Sequence, residues 1–126
     1  MRELIFRGKA TRDQRWIISD TILQFASGEV CLYDELKDIE VDVDPETVGQ
    51  FTGLTDKNGK NIFEGDIVDE RPPMNKEGAR GVVVWDEGRA LWRLLFKGNP
   101  EYLAVLGTYS KSYTIIGNIH DNGDLL

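Results

Sequence analysis

Short segments in which apolar and polar side chains alternate recur along this chain, and this repetition limits the fold more than any other feature. Alternation with period 2 puts one face of a strand into a core and the other into water, whereas a helix needs apolar residues three and four apart. Helical spacing is scarce here. Strands are expected at 4–7 (LIFR), 15–19 (RWIIS), 21–25 (TILQF), 29–33 (EVCLY), 38–44 (DIEVDVD), 61–70 (NIFEGDIVDE), 81–86 (GVVVWD), 90–96 (ALWRLLF) and 113–119 (YTIIGNI). Turn signals separate most of them: Ser27-Gly28, Asn58-Gly59, Glu77-Gly78, Glu87-Gly88 and Gly98-Asn99. One short helix is expected from Pro100 to about Leu106, with Asn99 as its cap, Glu101 complementing the dipole and Gly107 ending it. The fold class is mainly β with one short helix. A change of character near 45–50 (DPETVG) suggests an N-terminal β region, 1–48, and a second domain, 49–126.

With 126 residues, 40% of them hydrophobic, the chain can build a packed core. No apolar run approaches the roughly 18 residues of a membrane span, and MRELIFRGKA lacks the apolar stretch of a signal peptide. A cytoplasmic protein is expected. The single cysteine, Cys31, agrees, because small secreted domains carry cysteines in pairs. It lies in the apolar string VCLY and reads as a buried, inert thiol. Net charge is -7, so nucleic-acid binding by the whole surface is disfavoured.

Residues 52–68, TGLTDKNGKNIFEGDIV, raise the question of a metal. Counted as a calcium loop from Asp56, the stretch has its glycine too early, and Lys57 and Lys60 would repel the cation. A phosphate-binding loop fails too, since Gly59 is followed by Lys60-Asn61. A hairpin turn fits instead, with Asn58-Gly59 supplying the left-handed backbone and Leu54 and Ile62 or Phe63 on its arms. FEGDIV then reads as a bend at Gly65 feeding a strand, with the Asp66 carboxylate accepting backbone N–H bonds. The lone His120 and lone Cys31 are far apart in sequence and form no dyad or metal set. No metal, no cofactor and no catalytic residue is expected.

With these segments in view, the chain resembles the YopX family of small phage and prophage proteins. The likeness rests on MRELIFRGKA with Trp16, VGQFTGLTDKNGKNIFEGDIV at 48–68, GVVVWDEG at 81–88 and IIGNIHDNGDLL at the end. Gly123-Asp124 departs from the proline and glutamate more usual there. The resemblance implies an all-β fold with an SH3-like barrel in the C-terminal portion. It brings no catalytic residues with it.

Two surfaces stand out as partner-binding candidates. The stretch 34–46, DELKDIEVDVDPE, holds seven acids and one lysine. Within DIEVDVD, Asp38, Glu40, Asp42 and Asp44 are expected on one strand face and Ile39, Val41 and Val43 on the other. Such a face either solvates an edge strand or docks a basic protein partner. The loop 70–80, ERPPMNKEGAR, offers Arg71 and Arg80 (with Lys76) around Pro72-Pro73, and is either a stiff connection or part of a binding groove. Trp85 and Trp92 flank the DEGR turn and are expected to pack in the core or across strands. The functional expectation is a non-enzymatic binding or assembly module that forms a homo-oligomer. The alternative is a nuclease or toxin-like protein, by analogy with ribonuclease toxins that share a barrel opening on a GDIV-like strand.

Calorimetric titration with calcium is expected to show no tight site. Tight binding that disappears in Asp56→Ala would contradict the turn reading.

Overall fold

In the computed structural model, residues 3–73, 76–107 and 110–126 are described, apart from the side chain of Ser110. The chain divides into two units, 1–51 and 52–126. The strands are β1 (Phe6–Lys9), β2 (Trp16–Ser19), β3 (Ile22–Gln24), β4 (Val30–Asp34), β5 (Ile39–Val43), β6 (Gly49–Thr55), β7 (Asn61–Phe63), β8 (Asp66–Glu70), β9 (Ala79–Asp86), β10 (Leu91–Phe96), β11 (Asn99–Val105) and β12 (Tyr113–Asn118). They form three antiparallel sheets, and among the described residues none closes on itself. The mainly β reading holds. Alternation made every strand expected from it legible, with NIFEGDIVDE bent at Gly65 into β7 and β8.

In the first unit, β3, β4 and β5 form a sheet with β4 at its centre, and β1 pairs with β2 and with the start of β6. Ala10, Ile17, Val30, Leu32 and Val43 make the core, with Phe6, Ile22 and Val41 against it. Gly8 is part of that packing, because a Cβ there would lie 3.2 Å from Val43. An Ala10–Val43 bridge and the bonds Asp44 N to Lys9 O (2.9 Å) and Thr11 N to Asp42 O (3.0 Å) stitch the β1 hairpin to the end of β5.

In the second unit, β6 continues beside β7, and five strands lie in the order β11-β10-β9-β8-β12. Ile62, Val68, Val83, Leu94, Leu106 and Tyr113 form its core. The Tyr113 phenol oxygen accepts from Gly107 N (3.0 Å). Trp85 and Trp92 are cross-strand partners, edge to face with centroids 5.0 Å apart.

The expected helix at 100–106 is instead β11. Its cap-like Asn99-Pro100 opens the strand, and the missing N–H of Pro100 falls where a bulge already interrupts the ladder. The two-residue turn Lys97-Gly98 folds it back on β10. A bulge between Leu94 and Phe96 interrupts the ladder, and there the Arg93 guanidinium donates to Pro100 O (2.9 Å) and Tyr102 O (2.8 Å). Beyond the bulge the ladder resumes, ending with Leu106 N on Trp92 O (3.0 Å). A donor from the neighbouring strand thus replaces the intrahelical bonds that local signals imply.

The tight turns also differ in detail from expectation. In DKNG, Gly59 is left-handed (φ +82) and Asn58 is not; Gly59 N donates to Asp56 O (3.0 Å) and Asp56 N to Lys60 O (2.8 Å). This is a type I turn closed by a glycine bulge rather than a two-residue primed turn. After β9 the left-handed residue is Ala90 (φ 55), not Gly88, because a four-residue loop places it last.

Replacing Arg93 with Met keeps the aliphatic stem and removes the donors. It is expected to cost about 2–4 kcal/mol. Hydrogen exchange should quicken at Ala104 and Leu106 while the amides of Ile67 and Val68 stay protected; equal loss at both places would show that Arg93 does not act on β11 in particular.

Candidate functional site

Asp56 is 5% exposed. Its Oδ1 accepts from Asn58 N (2.9 Å) and Lys60 N (3.0 Å), and its Oδ2 from Ile115 N (3.1 Å) on β12. Burial alone would raise its pKa, but these three N–H donors and the Lys60 charge outweigh burial and hold the carboxyl below its ordinary 3.8. Asp66, also buried, accepts from Phe63 N (2.8 Å) across the Gly65 bend. Both carboxylates therefore pin the backbone, as the turn reading of this stretch expects. His120 is anchored in another turn, its N–H on Asn118 Oδ1 (3.0 Å).

The acidic stretch departs from one uniform face. Glu40 and Asp42 lie on β5, opposite Tyr33 and Cys31. Asp38 precedes the strand with a left-handed backbone (φ 55), and Asp44 follows it as the cap of the 3-10 turn Pro45–Thr47, accepting from Glu46 N (3.1 Å). The four acids expected in a row are thus two on a strand and one at each end. Asp42 Oδ1 accepts from the buried Cys31 thiol (3.0 Å). That hydrogen bond, burial and the charges of Asp42, Glu40 and Glu29 push the thiol up to about 11. Cys31 is a structural donor at neutral pH.

The β4–β5 turn presents Leu36, which alternation did not single out, and beside it the first residue of β5, Ile39, which alternation placed on the strand's apolar face, stands half-exposed. Leu36 is 99% exposed and Ile39 48%, set among Glu35, Asp38 and Glu40. Asp34 fixes the base of the turn, accepting from Leu36 N (3.1 Å) and lying 3.4 Å from Arg15 Nη2. An open groove of about 520 Å³ runs beside this tip, lined by Trp16, Ile18, Asp20, Asp34, Glu35 and Leu36 among others. Apolar surface and carboxylates therefore meet at one place. The signal for it was DELKD, where a leucine sits in a charged turn with no strand face to bury it.

In the loop 70–80, Met74 and Asn75 lie outside the described residues. Arg71 Nη2 bonds Asp69 Oδ2 (3.1 Å), its Nη1 bonds Lys76 O (3.1 Å) and its N–H bonds Ser112 O (3.0 Å). Arg80 Nη1 reaches Leu125 O (3.2 Å). The two arginines bind the loop and the C-terminal turn to the second unit.

A family model described as YopX protein matches residues 5–126, essentially the whole chain. The chain belongs to the YopX family. This YopX chain also resembles a solved structure titled crystal structure of protein EF1440 from Enterococcus faecalis, at 24% identity and a TM-score of 0.56. The match covers 100% of this chain and 99% of that one, and it supports the fold alone. No curated protein matches this YopX chain. Among the described residues, no helix is long and apolar enough to cross a membrane.

Asp56→Ala leaves three backbone donors without their acceptor. A loss of about 2–4 kcal/mol is expected in urea unfolding. Since the folded carboxyl titrates below 3.8, its stabilisation is present above that pH and is lost as pH falls through the folded value. Stability measured against pH should lose that acid-side dependence in the variant; an unchanged profile would exclude Asp56 as its source.

Proposed function

We propose that this YopX chain is a non-enzymatic binding and assembly module, a phage or prophage accessory protein working in the host cytoplasm. It docks a basic protein partner on the β4–β5 tip and self-associates. The observation that carries this reading is the wholly exposed Leu36, in an acidic turn with Glu35, Asp38 and Glu40 close in sequence and a mostly apolar groove beside it. Carboxylates attract a cationic surface and exclude an acidic one, while Leu36 and the groove supply area to desolvate. A partner of matching chemistry carries lysines or arginines around an apolar patch. Cys31 and Asp42 stiffen the strand behind this tip. Open sheet edges support self-association. In this reading the five-stranded sheet with β6 and β7 forms the SH3-like element, a partly open barrel. The framework roles of Asp56 and Asp66 also favour binding over nuclease chemistry.

The test is capture from infected host lysate by the wild type and by a Glu35→Lys/Leu36→Ser/Glu40→Lys variant, with proteins identified by mass spectrometry. A cationic partner held at moderate salt, weakened at high salt and absent from the variant is expected. The same proteins recovered by both baits would end the assignment of the tip.

A further inference from the structure

The groove beside the β4–β5 tip has one wall whose backbone is open. Every residue from Arg15 to Asp20 lines it, together with Asp34, Glu35 and Leu36. Successive residues of a strand point to opposite faces, so a groove that touches six in a row runs along the strand's edge rather than over a face. That strand is β2, the terminal one of its sheet, paired with β1 through four residues in regular register.

The phase of this ladder fixes which backbone groups face the groove. Ala10 N donates to Arg15 O (2.8 Å), so even residues of β1 bond odd residues of β2. Odd residues of β1 bond on its other side, where Phe51 N donates to Ile5 O (2.8 Å) and Asp44 N to Lys9 O (2.9 Å). Ile17 and Ser19 therefore turn their N–H and C=O to β1, and Ile18 turns both to the open edge. Among the described residues no group bonds the Ile18 backbone from that side, and Ile18 is 63% exposed.

We propose that an extended basic segment of the partner adds to β2 as a further antiparallel strand, paired through Ile18. The proposal rests on the docking reading of the tip and specifies how the partner is held. Antiparallel pairing lets one open residue exchange both of its bonds with a single opposing residue. The two faces of β2 set the pattern of the segment. A residue opposite Ile18 shares its face with Trp16, whose ring already has Arg7 (5.0 Å) and Lys9 (5.9 Å) over it, so that position takes an apolar side chain rather than another cation. Its neighbours project to the other face, where the Arg15 guanidinium reaches Asp34 (3.4 Å). Of the carboxylates Asp20, Asp34 and Glu35, Arg15 engages Asp34 alone, and among the described residues Asp20 and Glu35 make no ion pair. The groove thus keeps a surplus of negative charge for lysines or arginines at alternate positions.

The probe is the peptide acetyl-Lys-Val-Lys-Val-Lys-amide, titrated into isotope-labelled protein and followed by amide resonances. Expected are binding that weakens with salt, a downfield shift and slowed exchange of the Ile18 amide, and no binding of the glutamate-for-lysine analogue. N-methylation of both valines removes the peptide's pairing donors and keeps its charge. Ile18→Pro removes the outward N–H and spares the bonds to β1. Each change should weaken binding roughly tenfold or more; should the proline variant fail to fold, the methylated peptide decides. Binding undiminished by either change, yet lost in the Glu35→Lys/Leu36→Ser/Glu40→Lys variant, would overturn strand addition and leave tip docking standing. Binding kept in that variant and lost on methylation would keep strand addition and overturn the tip. A wild type that does not bind the peptide, or binds it with the Ile18 amide unmoved, would overturn strand addition, and capture from lysate then judges the docking reading by itself.

Discussion

The Asp56 carboxylate holds together parts of the second unit that no apolar contact could align. Its two oxygens collect N–H donors from its own turn and from β12, so one ion fixes the shape of a loop and the position of a strand. Apolar packing alone is tolerant of register, since a strand shifted by two residues still shows its apolar face to the core. Three directed bonds to a charge are not tolerant. Around that fixed point, the next backbone link, Lys57 N to Tyr113 O, sets the depth of Tyr113 in the core. The apolar residues contribute most of the stabilisation, and the carboxylate decides which of their arrangements is populated.

Arg93 does comparable work at the far side of the same sheet. A bulge leaves inward carbonyls of β11 without ladder donors, and a guanidinium supplies them while Asp86 lies 3.5 Å away to balance its charge. Both solutions use a side chain in place of backbone pairing where the sheet is irregular. They also place charge inside the framework, where it is committed to backbone groups.

Much of this architecture was legible because it is local. RWIIS, EVCLY and GVVVWD alternate or run apolar over a strand's length, and glycine punctuation lies between most segments. The family likeness was legible too, from long ordered motifs such as VGQFTGLTDKNGKNIFEGDIV. What misled was chemistry supplied from elsewhere in the chain. Asn99-Pro100-Glu101 and Gly107 imitate helix boundaries, and it is pairing with β10, completed by the bonds from Arg93 across the bulge, that makes the segment a strand. Of the candidate site, the acidic composition of 34–46 could be read, but its shape could not. Whether Asp38 and Asp44 share a face with Glu40 depends on where β5 begins and ends, and strand ends are set by turn geometry rather than by period. Leu36 escaped because a single apolar residue in a polar turn has no periodicity to report.

The placement of Tyr113 has a consequence for the order in which the chain can assemble. The core around Ile62, Val68, Val83 and Leu94 is filled by a ring from β12, a strand that pairs back with β8 across more than forty residues of chain. As the polypeptide leaves the ribosome, β8, β9 and β10 can form successive hairpins across connections of eight and four residues, because closure cost grows only slowly with loop length. Their common apolar face stays uncovered until β12 follows. Synthesis and closure are thus out of step, and for the intervening seconds the growing chain carries a sticky half-sheet. The local hairpins can form quickly, but a sheet completed by so distant a pairing closes late, and its most hazardous moment comes before the tyrosine arrives.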